Sequence, residues 1–177
     1  MSHKQQLDFI SEVKSLHGSY FDNKCVVEIG SLNINGSVRS FFNKCVYIGV
    51  DVGSGPGVDV ISLGHEYKLS NSFDVAISCE CFEHDPHWVD TFNNMIDLCK
   101  PDGLIIISCA TTGRKEHGTP SLEPQSSPLT VQLGWDYYKN LTKQDFEDHF
   151  DLDLVFKQYQ FSKNTESCDL YFYGIKK

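Results

Sequence analysis

Five short apolar runs rich in β-branched residues recur along the chain: Cys25–Ile29, Val46–Val50, Val58–Ile61, Phe73–Ser78 and Leu104–Cys109. Their apolar residues are nearly continuous rather than alternating. That pattern suits strands covered on both faces, the condition of a parallel sheet. Parallel neighbours need crossover connections, and helical patterns fill the gaps. Leu7, Ile10, Val13 and Leu16 recur before the first run, and Val38, Phe41 and Phe42 follow it, with a helix expected to start near Ser37. Trp88, Phe92, Met95, Ile96 and Cys99 form the strongest amphipathic stripe. Lys100-Pro101-Asp102-Gly103 is expected to stop that helix and turn into the next strand. The alternation predicts an open α/β sheet with helices on both sides.

Residues 110–140 break the rhythm with Gly113, Gly118, Pro120, Pro124, Pro128 and Gly134. So long a connection inside one domain is usually functional or disordered. Thr142 then reads as an N-cap, with Asp145 behind it, for a short helix through His149. Leu152–Phe161 and Leu170–Ile175 read as closing strands joined by the turn formers of Ser162–Ser167, so the last pair is expected to be antiparallel. A length of 177 residues suits one domain over residues 1–177, with 110–140 as its long substrate-side loop.

Charge narrows the partners. Fifteen Lys+Arg against 24 Asp+Glu give −9, which disfavours a general nucleic-acid binder. The polar Met1–Ile10 segment lacks the apolar stretch of a signal peptide, and Leu104–Ile107 is too short to cross a bilayer. Seven cysteines, an odd number lying mostly in apolar runs, fit free buried thiols and a cytoplasmic location. Cys79-x-Cys81 lacks zinc-knuckle spacing, and His84 and His87 show no third ligand, so no metal is expected.

The first strand ends in Glu28-Ile29-Gly30, and the following turn runs Ser31-Leu32-Asn33-Ile34-Asn35-Gly36. Glycine there lets a ligand approach the backbone. Asp51 ends the second strand 21 residues after Gly30, where nucleotide-binding α/β folds grip ribose hydroxyls. A dinucleotide site needs G-x-G-x-x-G, but Leu32 takes the place of the second glycine, and Glu28 would repel a pyrophosphate. A cofactor carrying an ammonium and a sulfonium, S-adenosylmethionine, suits these acids better.

Val26-Val27-Glu28-Ile29-Gly30 resembles the first motif of class I S-adenosylmethionine-dependent methyltransferases. Tyr47-Ile48-Gly49-Val50-Asp51 resembles their second strand. Phe73–His84 resembles the fourth strand with its Leu-Glu-His ending, and Leu98–Leu104 the following helix–turn–strand. The chain is therefore similar to small, single-domain, type 11-like members of that family. The resemblance implies a Rossmann-like, doubly wound, seven-stranded mixed sheet with an antiparallel C-terminal strand. It implies that Glu28, Gly30 and Gly36 line the methionine end of the cofactor, with Ser31 also among the cofactor-binding residues. Asp51 and Val52 would hold the ribose, Leu63 and Gly64 would cover the adenine, and Ser78 and Cys79 would close over the methionine portion. S-adenosylhomocysteine would be the product.

Methyl transfer is an in-line displacement, in which positioning alone contributes roughly 7–11 kcal/mol. A base is needed only when the acceptor must lose a proton. His84 and His117 are the candidates. Glu83, Arg114, His117, Tyr137 and Tyr138 are candidate substrate contacts, with Arg114, Lys115 and His117 suited to an anionic acceptor and the tyrosines to a lid. Equally, Glu83 and His84 could cap the next helix or bond the loop backbone, and Arg114 could lie in a solvated loop. The acceptor is expected to be a small or sugar-like molecule. A non-catalytic cofactor-binding module and a nicotinamide-dependent oxidoreductase are the alternatives.

Overall fold

The computed structural model describes residues 3–177. β1 (Cys25–Ile29), β2 (Val46–Asp51), β3 (Val60–Ile61), β4 (Phe73–Cys79) and β5 (Cys99–Ala110) are parallel. β6 (Phe156–Asn164) and β7 (Asp169–Lys176) complete a seven-stranded sheet in the order β3-β2-β1-β4-β5-β7-β6. β7 runs antiparallel to both β5 and β6, so the expected mixed sheet and closing hairpin are present.

Alternate residues supply two cores. Val27, Ile29, Ala76, Ile105, Ile107 and Phe172 pack with α2 (Trp88–Leu98) and α4 (Lys143–His149). Val26, Val75, Ile77, Leu104, Ile106 and Tyr171 pack on the other face with α1 (Lys4–Leu16). The α2 stripe is buried as expected, and Phe92 sits among the rings of Phe82, Phe146, Phe150, Phe156 and Phe172, at 4.8–6.4 Å between centroids. Thr142 and Asp145 cap α4 reciprocally, each side chain accepting from the other's backbone N–H.

Several boundaries differ from expectation. The helix expected after β1 is only a 3-10 turn, Val38–Phe41. Residues 31–36 are consumed by an irregular loop, and β2 begins at Val46, which leaves room for about one turn. The third strand is shorter than expected and begins at Val60. Lys100–Gly103 does not make a turn; β5 begins at Cys99, and the irregularity appears as a register shift between Phe73 and Val75. Leu152–Phe161 is not all strand. Asp151 accepts from Leu154 N–H and closes a one-turn helix, α5 (Leu152–Val155), before β6 starts. The long connection holds the short helix α3 (Pro128–Gln132). The cysteines are free, but only Cys99 and Cys109 are fully buried; the other five are half-buried. No helix among the described residues is long and apolar enough to cross a membrane.

Candidate functional site

A cleft opens at the carboxyl ends of β1, β2 and β4. There the chain order reverses direction across the sheet, from β1 towards β2 on one side and β4 on the other. Open α/β sheets bind ligands at such switch points. Of the sequence-derived cofactor residues, Glu28, Gly30, Ser31, Gly36, Asp51, Val52, Leu63, Gly64 and Cys79 line this cleft. Ser78 does not: it is fully buried, and its hydroxyl donates to the Ile29 carbonyl oxygen at 2.8 Å, tying β4 to β1.

Asp51 organises the loop after β1. One carboxylate oxygen accepts from Leu32 N–H and the other from Val52 N–H, both at 2.8 Å. A carboxylate has about four acceptor positions, so two remain for a diol. Burial raises the Asp51 pKa against the pull of these two N–H groups. Glu28, on β1, accepts from Tyr47 Oη at 2.8 Å. Burial pushes its carboxyl up to about 7, although the tyrosine hydrogen bond and the Arg39 charge oppose this.

Gly30 has φ +80, and a Cβ there would stand 2.5 Å from both Cβ and Sγ of Cys81. The space left by its missing side chain is therefore filled by Cys81, not kept for a ligand. The altered loop has its own support. Leu32 packs over Gly55, where a Cβ would stand 2.3 Å from Leu32 Cδ1, and Asn33 N–H donates to the Pro56 carbonyl oxygen. Gly53-Ser54-Gly55-Pro56-Gly57 thus makes room for the leucine that replaces the usual second glycine. Sequence reading missed this segment, although three glycines and a proline in five residues were a visible signal.

The second wall comes from the long connection through Ser126, Ser127, Pro128, Leu129, Thr130 and Trp135. Trp135, not Tyr137 or Tyr138, is the aromatic residue of the connection that lines the cleft. Tyr138 instead packs against His84 and His117, with ring centroids 5.6 and 5.1 Å away, and the two histidine rings are 5.0 Å apart. Of the candidate catalytic and substrate residues, His84 alone lines the cleft. Burial, with a smaller push from His117, lowers its pKa to about 3, so the ring is a neutral, weak base at pH 7. Burial raises the Glu83 carboxyl to about 8. Neither residue caps α2, whose N-terminus receives no side-chain cap; Asp85 braces the turn before it, accepting from His87 N–H and Thr91 Oγ1.

Arg114 turns away from the cleft. Its guanidinium donates to Asp169 at 3.2 Å and to the Ser167 carbonyl oxygen at 2.6 Å. The expected anion contact is replaced by this ion pair between the half-buried Arg114 and the buried Asp169. Asp169 also meets His3 Nε2 at 3.1 Å, beside Glu80, and the two carboxylates raise the His3 pKa to about 9. Glu80, which the sequence reading did not select, lines the cleft and accepts from Ser108 Oγ.

The lining therefore carries Glu28, Asp51, Glu80 and Asp85 and, among the described residues, no lysine or arginine. Gln6 Oε1, Ser31 Oγ and Ser126 Oγ, all from lining residues, are buried without a hydrogen-bond partner. Buried polar atoms without partners are uncommon in folded proteins, and they suit a polar, cation-bearing ligand.

No family model and no curated protein matches the sequence. Solved structures do match. Phosphoethanolamine N-methyltransferase 2 of Haemonchus contortus, in complex with S-adenosyl-L-methionine, has a TM-score of 0.67 and 14% identity over 96% of this chain. This chain spans about half the length of that protein, 52%. The 1,6-didemethyltoxoflavin-N1-methyltransferase of Burkholderia thailandensis, with bound 1,6-didemethyltoxoflavin and S-adenosylhomocysteine, has a TM-score of 0.61 and 16% identity, covering 97% of this chain and 87% of its own. A putative methyltransferase from Bacillus halodurans has a TM-score of 0.64 and 10% identity, covering 98% and 99%. The chain has the fold of the class I S-adenosylmethionine-dependent methyltransferases.

Proposed function

We propose that this chain binds S-adenosylmethionine and transfers its methyl group to a small-molecule acceptor. The observation that carries the reading is the cleft at the switch point, with four carboxylates in its lining and no lysine or arginine among the described residues there. When bound, the cofactor supplies an electrophilic methyl group on a sulfonium. Asp51 would accept from the ribose hydroxyls with its two remaining acceptor positions. Glu28 would offset the ammonium charge, held in place by Tyr47. Leu63 and Gly64 would border the adenine. The Ser126–Thr130 segment and Trp135 would exclude water from the reacting end, and His84 would border the acceptor as a neutral imidazole. The relatives solved with S-adenosyl-L-methionine or S-adenosylhomocysteine, one of them also holding 1,6-didemethyltoxoflavin, support the cofactor and the acceptor class.

Calorimetric titration tests the cofactor. Wild type is expected to bind S-adenosylmethionine with micromolar affinity, and Asp51→Ala to lose at least tenfold while still unfolding cooperatively. No binding by wild type overturns the reading. Formation of S-adenosylhomocysteine with an acceptor panel then tests catalysis.

A further inference from the structure

Glu83 and His84 lie on the 3-10 turn after β4, and His117 comes from the long connection. One ligating atom from each lies within 4.8 Å of the others. Glu83 is fully buried at 0% exposure, and neither of its carboxylate oxygens has a hydrogen-bond partner among the described residues. His84 Nδ1 is likewise buried and unpartnered. His117 Nδ1 lies 3.0 Å from the Lys115 carbonyl oxygen, so it carries the ring proton and Nε2 holds a free lone pair. That is how metal-ligating imidazoles are commonly oriented. Gly118 allows the approach: its φ is +66, and any Cβ there would stand 2.6 Å from His84 Cε1.

A carboxyl group buried without hydrogen-bond partners is costly, and neither imidazole beside it makes a hydrogen bond to it. A single cation would satisfy all three. We propose that Glu83, His84 and His117 bind one divalent transition-metal ion of the zinc type, on the cleft wall that His84 lines. Two imidazoles and a carboxylate suit such an ion, and three protein ligands are the number found where zinc keeps a position open. Bonds of about 2.0–2.1 Å in a tetrahedral arrangement separate donors by about 3.3 Å. The three groups would therefore close by at most roughly 1.5 Å on loading, a shift that side-chain rotation can supply. The third ligand is 33 residues beyond His84 in the chain, so sequence spacing does not display it. The site does not depend on methyl transfer.

The test uses the full chain, freed of metal with a chelator and titrated with Co²⁺ and then Zn²⁺. One Co²⁺ per chain is expected, with visible d–d bands and no thiolate charge-transfer band, since seven free cysteines are the competing ligands. Zn²⁺ should displace it and raise the melting temperature. Glu83→Gln keeps the shape of the side chain but weakens the donor, and His117→Ala removes one ligand. Each is expected to lower Co²⁺ affinity at least tenfold while the circular dichroism spectrum is retained. Absence of stoichiometric binding, a thiolate band, or affinity unchanged in both variants overturns the proposal. S-adenosylmethionine binding to the metal-free protein, measured separately, reports on the methyltransferase reading alone.

Discussion

Gly30→Ala separates two roles for the glycine at the end of β1. If its purpose is to admit a ligand, alanine harms binding and leaves stability intact. The geometry argues for the other role. An alanine at φ +80 sits in the left-handed region, which costs an L-residue about 1–2 kcal/mol. Its Cβ would also stand 2.5 Å from two atoms of Cys81, well inside the ~3.5–4.0 Å optimum for carbon contacts. Overpacking of this kind costs about 1–3 kcal/mol. The expected loss is therefore about 2–5 kcal/mol. Cys81→Gly removes both clashing atoms but leaves the backbone term. In that background Gly30→Ala should cost only about 1–2 kcal/mol. Urea denaturation of the four proteins in this cycle measures both costs. Equal costs in the two backgrounds would refute the packing argument, as would a loss below about 0.5 kcal/mol in the wild-type background.

Burial holds the Glu28 pKa near 7, above its ordinary value of 4.5, so a cationic cofactor should drive off its proton. Affinity is expected to rise from pH 5 to 7, and calorimetry in buffers of different ionisation enthalpy should find proton release at pH 6 that Glu28→Gln abolishes. Without ligand the same raised pKa works against the fold: its stability contribution declines as pH climbs from 4.5 through 7. His3, raised from 6.5 to about 9 by Asp169 and Glu80, contributes most below pH 6.5 and loses that contribution as pH rises through 9. The melting-temperature difference between wild type and His3→Gln should shrink across that window; a constant difference would refute the link. Phe92→Ala opens the aromatic cluster and should cost about 3–5 kcal/mol in urea; a loss below about 1 kcal/mol would mean the cluster is loosely packed.

Where local periodicity carries the information, the sequence is legible. β1, β2 and β4 lie at their apolar runs, α2 at its stripe and α4 behind the Thr142–Asp145 box. Asp51 lines the cleft because the end of a buried parallel strand is a fixed place in such a sheet. The rest depends on contacts between distant segments. Nothing near Arg114 announces that Asp169 will take its charge, and nothing near Gly30 announces that Cys81 will fill its space. The turn at Leu152 is short enough for one aspartate to decide, and the alternation of Leu152, Leu154 and Phe156 hides it inside an apparent strand. Tyr47 reads as one more apolar strand residue, and only the packing of β2 beside β1 brings its hydroxyl to Glu28.

The acidic balance of the chain acquires its meaning through these long-range pairs. Asp169 engages Arg114 and His3, and Asp59 engages Arg39, which also stacks on Tyr47. These pairs engage Arg39, Arg114 and His3, while Glu28, Asp51, Glu80 and Asp85 stay in the cleft lining. The local field inside is therefore more negative than a uniform spread of −9 over the surface would make it. S-adenosylmethionine, with an ammonium and a sulfonium against one carboxylate, would offset part of that field, but a strongly anionic acceptor would meet carboxylates with no lining arginine or lysine to receive it. Under the proposed methyl transfer, acceptors that are neutral or cationic at the end that enters the cleft are expected to turn over faster than anionic ones in an acceptor panel. Anion selectivity would need a cation that the lining side chains do not provide, and an ion held by Glu83, His84 and His117 would be one.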